Sequence, residues 1–119
     1  MFRLILDELL VKTHGALAAI FLDFEGETVE LVCDRDLSDH ELRILGAYQG
    51  IFLDRLRALC SQVNAGTPLR FKLEFEDVAV LSYDVKDGYY VVLLVDGTFI
   101  EGVAWRLLER CRERLLAEM

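Results

Sequence analysis

Strong local chemistry is what this sequence has least of. It holds one proline, Pro68, one tryptophan, Trp105, and two histidines, His14 and His40. No GxxxxGK[ST] segment is present, so the chain has no phosphate-cradling loop of the P-loop kind. The Gly-Ala pairs at Gly15 and Gly46 do not build a dinucleotide fingerprint. Ser38, Ser61 and Ser82 have no nucleophile-elbow context, and His14 at a turn and His40 in the first turn of a helix are not placed to activate them. The three cysteines, Cys33, Cys60 and Cys111, are odd in number and widely spaced, and none makes a metal-type pair with another cysteine or a histidine. They read as reduced, mostly buried thiols of a cytosolic protein. Asp34 with Asp36, and Asp84 with Asp87, lack the ligand count and spacing of a calcium loop and read as solvated loops. The expectation is a non-enzyme without metal or cofactor.

Basic excess is also missing. Thirteen Lys and Arg stand against 21 Asp and Glu, a formal net charge of −8. Such a chain repels phosphate backbones, so nucleic acid is excluded as a partner. No apolar run approaches the ~18 residues that span a bilayer, so no membrane insertion is expected. Met1 to Leu10 carries Arg3, Asp7 and Glu8 within its apolar pattern and is not a signal peptide; the expected location is cytoplasmic. No linker, repeat or low-complexity stretch divides the chain, and its 119 residues suit one domain, 1–119, with one core. Hydrophobic residues make up 54%, and the mean hydropathy of +0.30 is high for so small a chain. That excess points to apolar surface buried against a partner.

The order of elements follows from periodicity and turn residues. Phe2 to Lys12 reads as a short amphipathic helix with Leu6, Leu9 and Leu10 towards the core, ended by His14-Gly15. Leu17 to Phe24 is a nearly continuous apolar run, which suits a strand covered on both faces. Glu25-Gly26 turns the chain into a second strand, Thr28 to Cys33, closing a hairpin. Ser38 and Glu41 have capping-box spacing and open a long helix that ends at Asn64-Ala65-Gly66, ahead of Pro68. Leu69, Phe71, Leu73 and Phe75 alternate with Arg70, Lys72, Glu74 and Glu76, the pattern of an edge strand. Val78 to Tyr83 and the fully apolar Tyr89 to Val95 are the last strands, joined by Lys86-Asp87-Gly88. Thr98 and Glu101 form a second capping-box pair before a helix with Ile100, Val103, Ala104, Leu107, Cys111 and Leu115 on its core face. The class is α+β, ordered α-β-β-α-β-β-β-α. The two doubly apolar strands join the hairpin to the meander, giving a mostly antiparallel five-stranded sheet ordered 2-1-5-4-3. The long helix covers one face and the terminal helices the other.

The long helix, Ser38 to Asn64, has more apolar surface than one sheet can cover. At about 100° per residue, Leu45, Tyr48, Phe52, Leu56, Leu59 and Val63 share a narrow face, expected to be the core stripe. Leu42, Leu53 and Cys60 form a second row beside Gly46 and Gly50, and Ile44 and Ile51 extend the far side. Each glycine costs roughly 1 kcal/mol against alanine inside a helix, which suggests that another backbone approaches there. Leu42, Gly46, Gln49, Gly50, Leu53 and Cys60 are therefore the candidate dimer contact, joined by Phe71, Leu73 and Phe75 of the open strand edge. The alternative is that they cover a second patch of the domain's own core. Trp105 lies nearly opposite Leu107, and two readings stay open: a partner anchor, or sideways packing on the first helix. The arginines 106, 110, 112 and 114 alternate with Glu109, Glu113 and Glu118 and read as a solvated face.

The segments GALAAIFLDFEGETVELV and FEDVAVLSYDVKDGYYVVLLVDGTFIEGVAWRLLERCRERL resemble the first hairpin and the closing strand–turn–strand–helix of the Roadblock/LC7 domain. The resemblance, of the MglB type and related to longin and profilin-like folds, covers about the whole chain. It implies a homodimer, or a heterodimer with a paralogue, having a continuous two-subunit sheet and paired central helices. It also implies regulation or scaffolding of a Ras-like small GTPase docked on the long helices near His40, Arg43, Asp54 and Arg57. Arg43 or Arg57 could then serve as an arginine finger. The rival functions are a pure assembly scaffold and a PAS-like small-molecule sensor, the latter needing a cavity with convergent polar groups.

Overall fold

The strands over Ala16–Leu22 and Tyr89–Asp96, apolar on both faces, lie next to each other in the middle of one sheet. In a computed structural model describing residues 1–119, the elements are α1 (Phe2–Lys12), β1 (Ala16–Leu22), β2 (Thr28–Cys33), α2 (Asp39–Gln62), β3 (Arg70–Glu74), β4 (Val78–Lys86), β5 (Tyr89–Asp96) and α3 (Glu101–Ala117). The sheet order is β2-β1-β5-β4-β3, with every neighbouring pair antiparallel. The order, the layers and the placement of α2 opposite α1 and α3 agree with the sequence-based expectation.

Every residue of β1 is buried. Ala18, Ile20 and Leu22 face α2, whereas Ala16, Ala19 and Phe21 face α1 and α3. A register shift against β5 between Ala16 and Ala18 lets Ala16 and Ala19 share a side. The β4–β5 turn places Asp87 at φ +54° and Gly88 at φ +86°. Two consecutive left-handed residues fit the right-handed strand twist, which is why Asp-Gly closes this hairpin.

Several boundaries move for local reasons. β1 stops at Leu22 because the Asp23 carboxylate accepts the N–H groups of Glu25 (2.9 Å) and Glu27 (3.0 Å), which bends the chain early. β4 runs on to Lys86. The second capping box does not form. Thr98 gives both its N–H (2.8 Å) and its hydroxyl (2.5 Å) to Asp96, and Ile100 holds the N-cap position of α3 without a side-chain bond. The helix therefore starts later and rolls. Ala104, Leu108, Cys111 and Leu115 are buried, Leu107 is half-buried, and Ile100 and Val103 are exposed. In α1 the core side is Ile5, Leu6 and Leu9, with Leu10 half-buried.

Candidate partner-binding surface

α2 begins where Ser38 Oγ accepts the Glu41 N–H at 3.2 Å. It ends where Asn64 turns left-handed (φ +56°) and the Ala65 N–H reaches back to the Cys60 carbonyl at 2.9 Å. The face that it buries is the reverse of the expected one. Leu42, Gly46, Gln49 and Leu53 are buried against the chain's own sheet. Tyr90 donates its hydroxyl to the Gly46 carbonyl at 2.8 Å, and the Gln49 amide donates to the Leu45 carbonyl at 3.1 Å beside buried Ser82. What approaches the glycines is not another helix backbone but side chains of the chain's own sheet. A Cβ on Gly50 would stand 2.5 Å from the Tyr90 hydroxyl, and one on Gly46 would stand 2.8 Å from a Leu22 methyl.

The physical reason is a division of volume. The sheet presents large side chains to this side, Ile20, Leu22, Tyr90 and Val92, so the helix lies close only by offering small ones. Ranking helix faces by hydrophobicity alone selects the opposite stripe. Leu42, Gly46, Gln49 and Leu53 are thus intramolecular core, while Gly50 and Cys60 are half-buried at its margin.

The stripe expected to be core faces outward. Tyr48 is 55%, Phe52 42%, Leu59 55% and Val63 63% exposed, with Ile44 and Ile51 beside them, while Leu45 and Leu56 are half-buried on the near side. This arc leans towards β3, the open sheet edge. The Phe52 ring meets Phe71 of β3 edge-on, with centroids 6.3 Å apart. Phe71 and Leu73 are half-buried on the α2 side, and Leu69 and Phe75 extend the apolar surface beyond both strand ends. Helix arc and strand edge make one continuous patch, larger than the isolated apolar residues that any surface carries.

His40, Arg43, Asp54 and Arg57 lie on the opposite flank of α2. Their charges are largely satisfied within the chain. Arg43 pairs with Asp39 at 2.6 Å, a hydrogen bond that raises its pKa further. Arg57 forks between Asp54 (2.7 Å) and Asp84 (2.8 Å). Trp105 is half-buried and its aromatic contact is to β4 rather than to the first helix. It packs edge-on against Tyr83 of β4 and lies under the Arg70 guanidinium, 4.6 Å from the ring centre. Lys72 beside it reaches Glu101 (2.7 Å) and Glu74 (3.2 Å), which raises the lysine's pKa and, through the Lys72 contact first, lowers that of Glu101. The three cysteines are free, Cys111 buried and the other two half-buried. No group of three His, Cys, Asp or Glu side chains converges in a way that could hold a metal ion. No helix is long and apolar enough to cross a membrane. Side chains of two core clusters fill the space between the sheet and its helices.

A five-stranded 2-1-5-4-3 antiparallel sheet between one long helix and two terminal helices is the Roadblock/LC7 fold. Among solved structures, the chain is similar to a Roadblock/LC7 domain from Streptomyces avermitilis, with a TM-score of 0.84 and 11% identity over 94% of this chain and 92% of that one. It is also similar to the gliding protein MglB from Thermus thermophilus, at 0.85 and 19% over 95% and 84%. An MglB described with a tetrameric arrangement gives 0.84 and 19% over 95% and 83%. At the level of sequence, no protein-family model and no curated protein matches.

Proposed function

We propose that the protein is a non-catalytic, cytoplasmic regulator that assembles with a second chain through α2 and β3 and binds a Ras-like small GTPase. The observation that carries this reading is the uncovered apolar patch, which joins the outer arc of the longest helix to an unpaired strand edge. An exposed helix stripe and an open edge are each unfavourable alone. One partner chain covers both at once. The likeness to MglB structures supports a regulatory role, and the first-noted resemblance supplies the GTPase.

The GTPase would meet the polar flank of α2, where His40, Arg43 and Asp54 are exposed. Arg57 serves this reading poorly as an arginine finger, because two carboxylates already hold its guanidinium. Regulation would act by ordering the GTPase's own switch loops. The test is phosphate release by a Ras-like GTPase of the same organism, timed with and without this protein. A changed rate that Arg43→Glu abolishes supports regulation. Binding without a rate change leaves the scaffold reading, and no binding by any such GTPase overturns the proposal.

A further inference from the structure

The face of α1 and α3 that looks away from the sheet carries positive charge that the chain leaves unbalanced. Arg106, Arg110 and Arg114 recur every four residues and form a row along α3, all exposed. Of the three, only Arg114 has an ion pair, to Glu8 of α1. Like charges at this spacing repel and weaken a helix. Glu109 and Glu113 of the same helix do not line the groove beside the row. In a chain of net charge −8, this is cationic surface without a counterion of its own.

The groove lies between two antiparallel helices, since Met1 pairs with Glu118 and Glu8 with Arg114. Its volume is about 180 Å³, room for an apolar side chain. Ile5, Leu9 and Cys111 form a buried floor and Leu107 a half-buried wall. Burial keeps the Cys111 thiol protonated, so the floor is uncharged. Lys12, Arg110 and Arg114 line the rim with one carboxylate, Glu8. Glu8 already serves Lys12 (2.5 Å) and Arg114, which leaves Arg110 free. Apolar side chains extend both ends: Leu4, four residues before Glu8, is 65% exposed, and Val103, four before Leu107, is 36% exposed. From Leu4 to Lys12 the groove follows roughly 12 Å of helix axis.

We infer that this groove receives an acidic amphipathic helix of another protein. An apolar side chain of that helix enters between Leu9 and Leu107, and carboxylates on its flank meet Arg106 and Arg110. An extended segment fits less well. Both walls are helices with internally bonded backbones, so they offer it no ladder. A helix satisfies its own backbone and repeats its acids every four residues, the spacing of the arginines. A membrane surface also fits less well, because a net charge of −8 sets the chain as a whole against an anionic bilayer. The groove lies across the sheet from α2, so it stands apart from the assembly and GTPase readings.

The probe is a fluorescein-labelled helical peptide with leucines at i, i+4 and i+7 and glutamates on both flanks. Its anisotropy should rise on titration with the wild-type chain, and Arg110→Glu should raise the dissociation constant on the order of tenfold. Lys86→Glu makes the same change in net charge at the exposed end of β4, outside the groove, and should leave binding unchanged. Leu4→Asp should weaken binding several-fold through the apolar contact. Circular dichroism and unfolding midpoints establish that each variant folds. No binding at high micromolar concentration overturns the proposal. Equal weakening by Arg110→Glu and Lys86→Glu overturns it too, as does equal binding of a shuffled peptide of the same composition. Binding to phosphatidylserine vesicles that Arg110→Glu abolishes, with no binding of the peptide, would assign the groove to a membrane surface and overturn it as well.

Discussion

The two faces of the sheet are finished to different degrees. On one, α1 and α3 together close a cluster of 18 buried residues, with Phe2, Trp105 and Leu116 packed around its rim. On the other, α2 alone closes a cluster of eight, while Tyr48, Ile51, Phe52 and Leu59 point away from it. Two helices laid side by side cover each other's flanks as well as the sheet. One helix crossing five strands leaves both flanks open, and here the flank towards β3 is apolar. The first face has the character of a complete core; the second leaves an apolar flank uncovered.

Truncation should separate the faces most sharply. Leu108→Ala empties a fully buried position under α3 and should cost about 2–5 kcal/mol in chemical denaturation. Next in size is a contrast within α2. Gly50→Ala drives a methyl into the Tyr90 hydroxyl and should destabilise by roughly 1–3 kcal/mol despite the better helix propensity of alanine. Gly46→Ala should cost less, because the obstructing Leu22 methyl can rotate away.

Alkaline titration probes both faces at once. Burial pushes the Cys111 thiol from 9.0 up to about 12, and burial likewise pushes the Tyr90 hydroxyl from 10.0 up to about 12. In both, the folded state holds its proton where the unfolded state has lost it. Their contributions are complete below the unfolded values and disappear as pH rises towards 12. Cys111→Ala should remove the part of the decline that begins near pH 9, and Tyr90→Phe the part that begins near pH 10. Urea midpoints across that range, in reducing buffer, provide the readout. The smallest effect is expected from Phe52→Ala. In dilute protein it should change unfolding by under about 1 kcal/mol, because the side chain is 42% exposed and lies outside the buried core clusters.

The strand order was legible because β1 and β5 are apolar on both sides, a pattern that only central strands can satisfy. The Ser38 cap and the Asp87-Gly88 turn were legible because their chemistry is local. The roll of α2 was not. Total apolar surface showed that the helix has more apolar stripes than one sheet covers, but which stripe faces the sheet depends on the size of the strand side chains below it. Tyr90 fills the space above β5 with its hydroxyl aimed at the helix backbone, so the glycines belong over it. The signal was present in two glycines and a glutamine on one face; in a tight helix–sheet contact that combination marks closeness rather than exposure. The start of α3 was misplaced by crediting Thr98 with a cap, whereas its hydroxyl donates to Asp96 and Ile100 holds the N-cap position.

The claim that the α2 face is one half of an interface is tested most directly by sedimentation equilibrium of the wild-type chain beside an Ile51→Asp variant. The wild type, 13.6 kDa per chain, should sediment with the mass of two chains at micromolar concentration, and the variant with the mass of one while keeping its unfolding midpoint. A wild type with the mass of a single chain throughout that range would contradict the account, and so would a variant that remains dimeric with aspartate in the middle of the exposed arc.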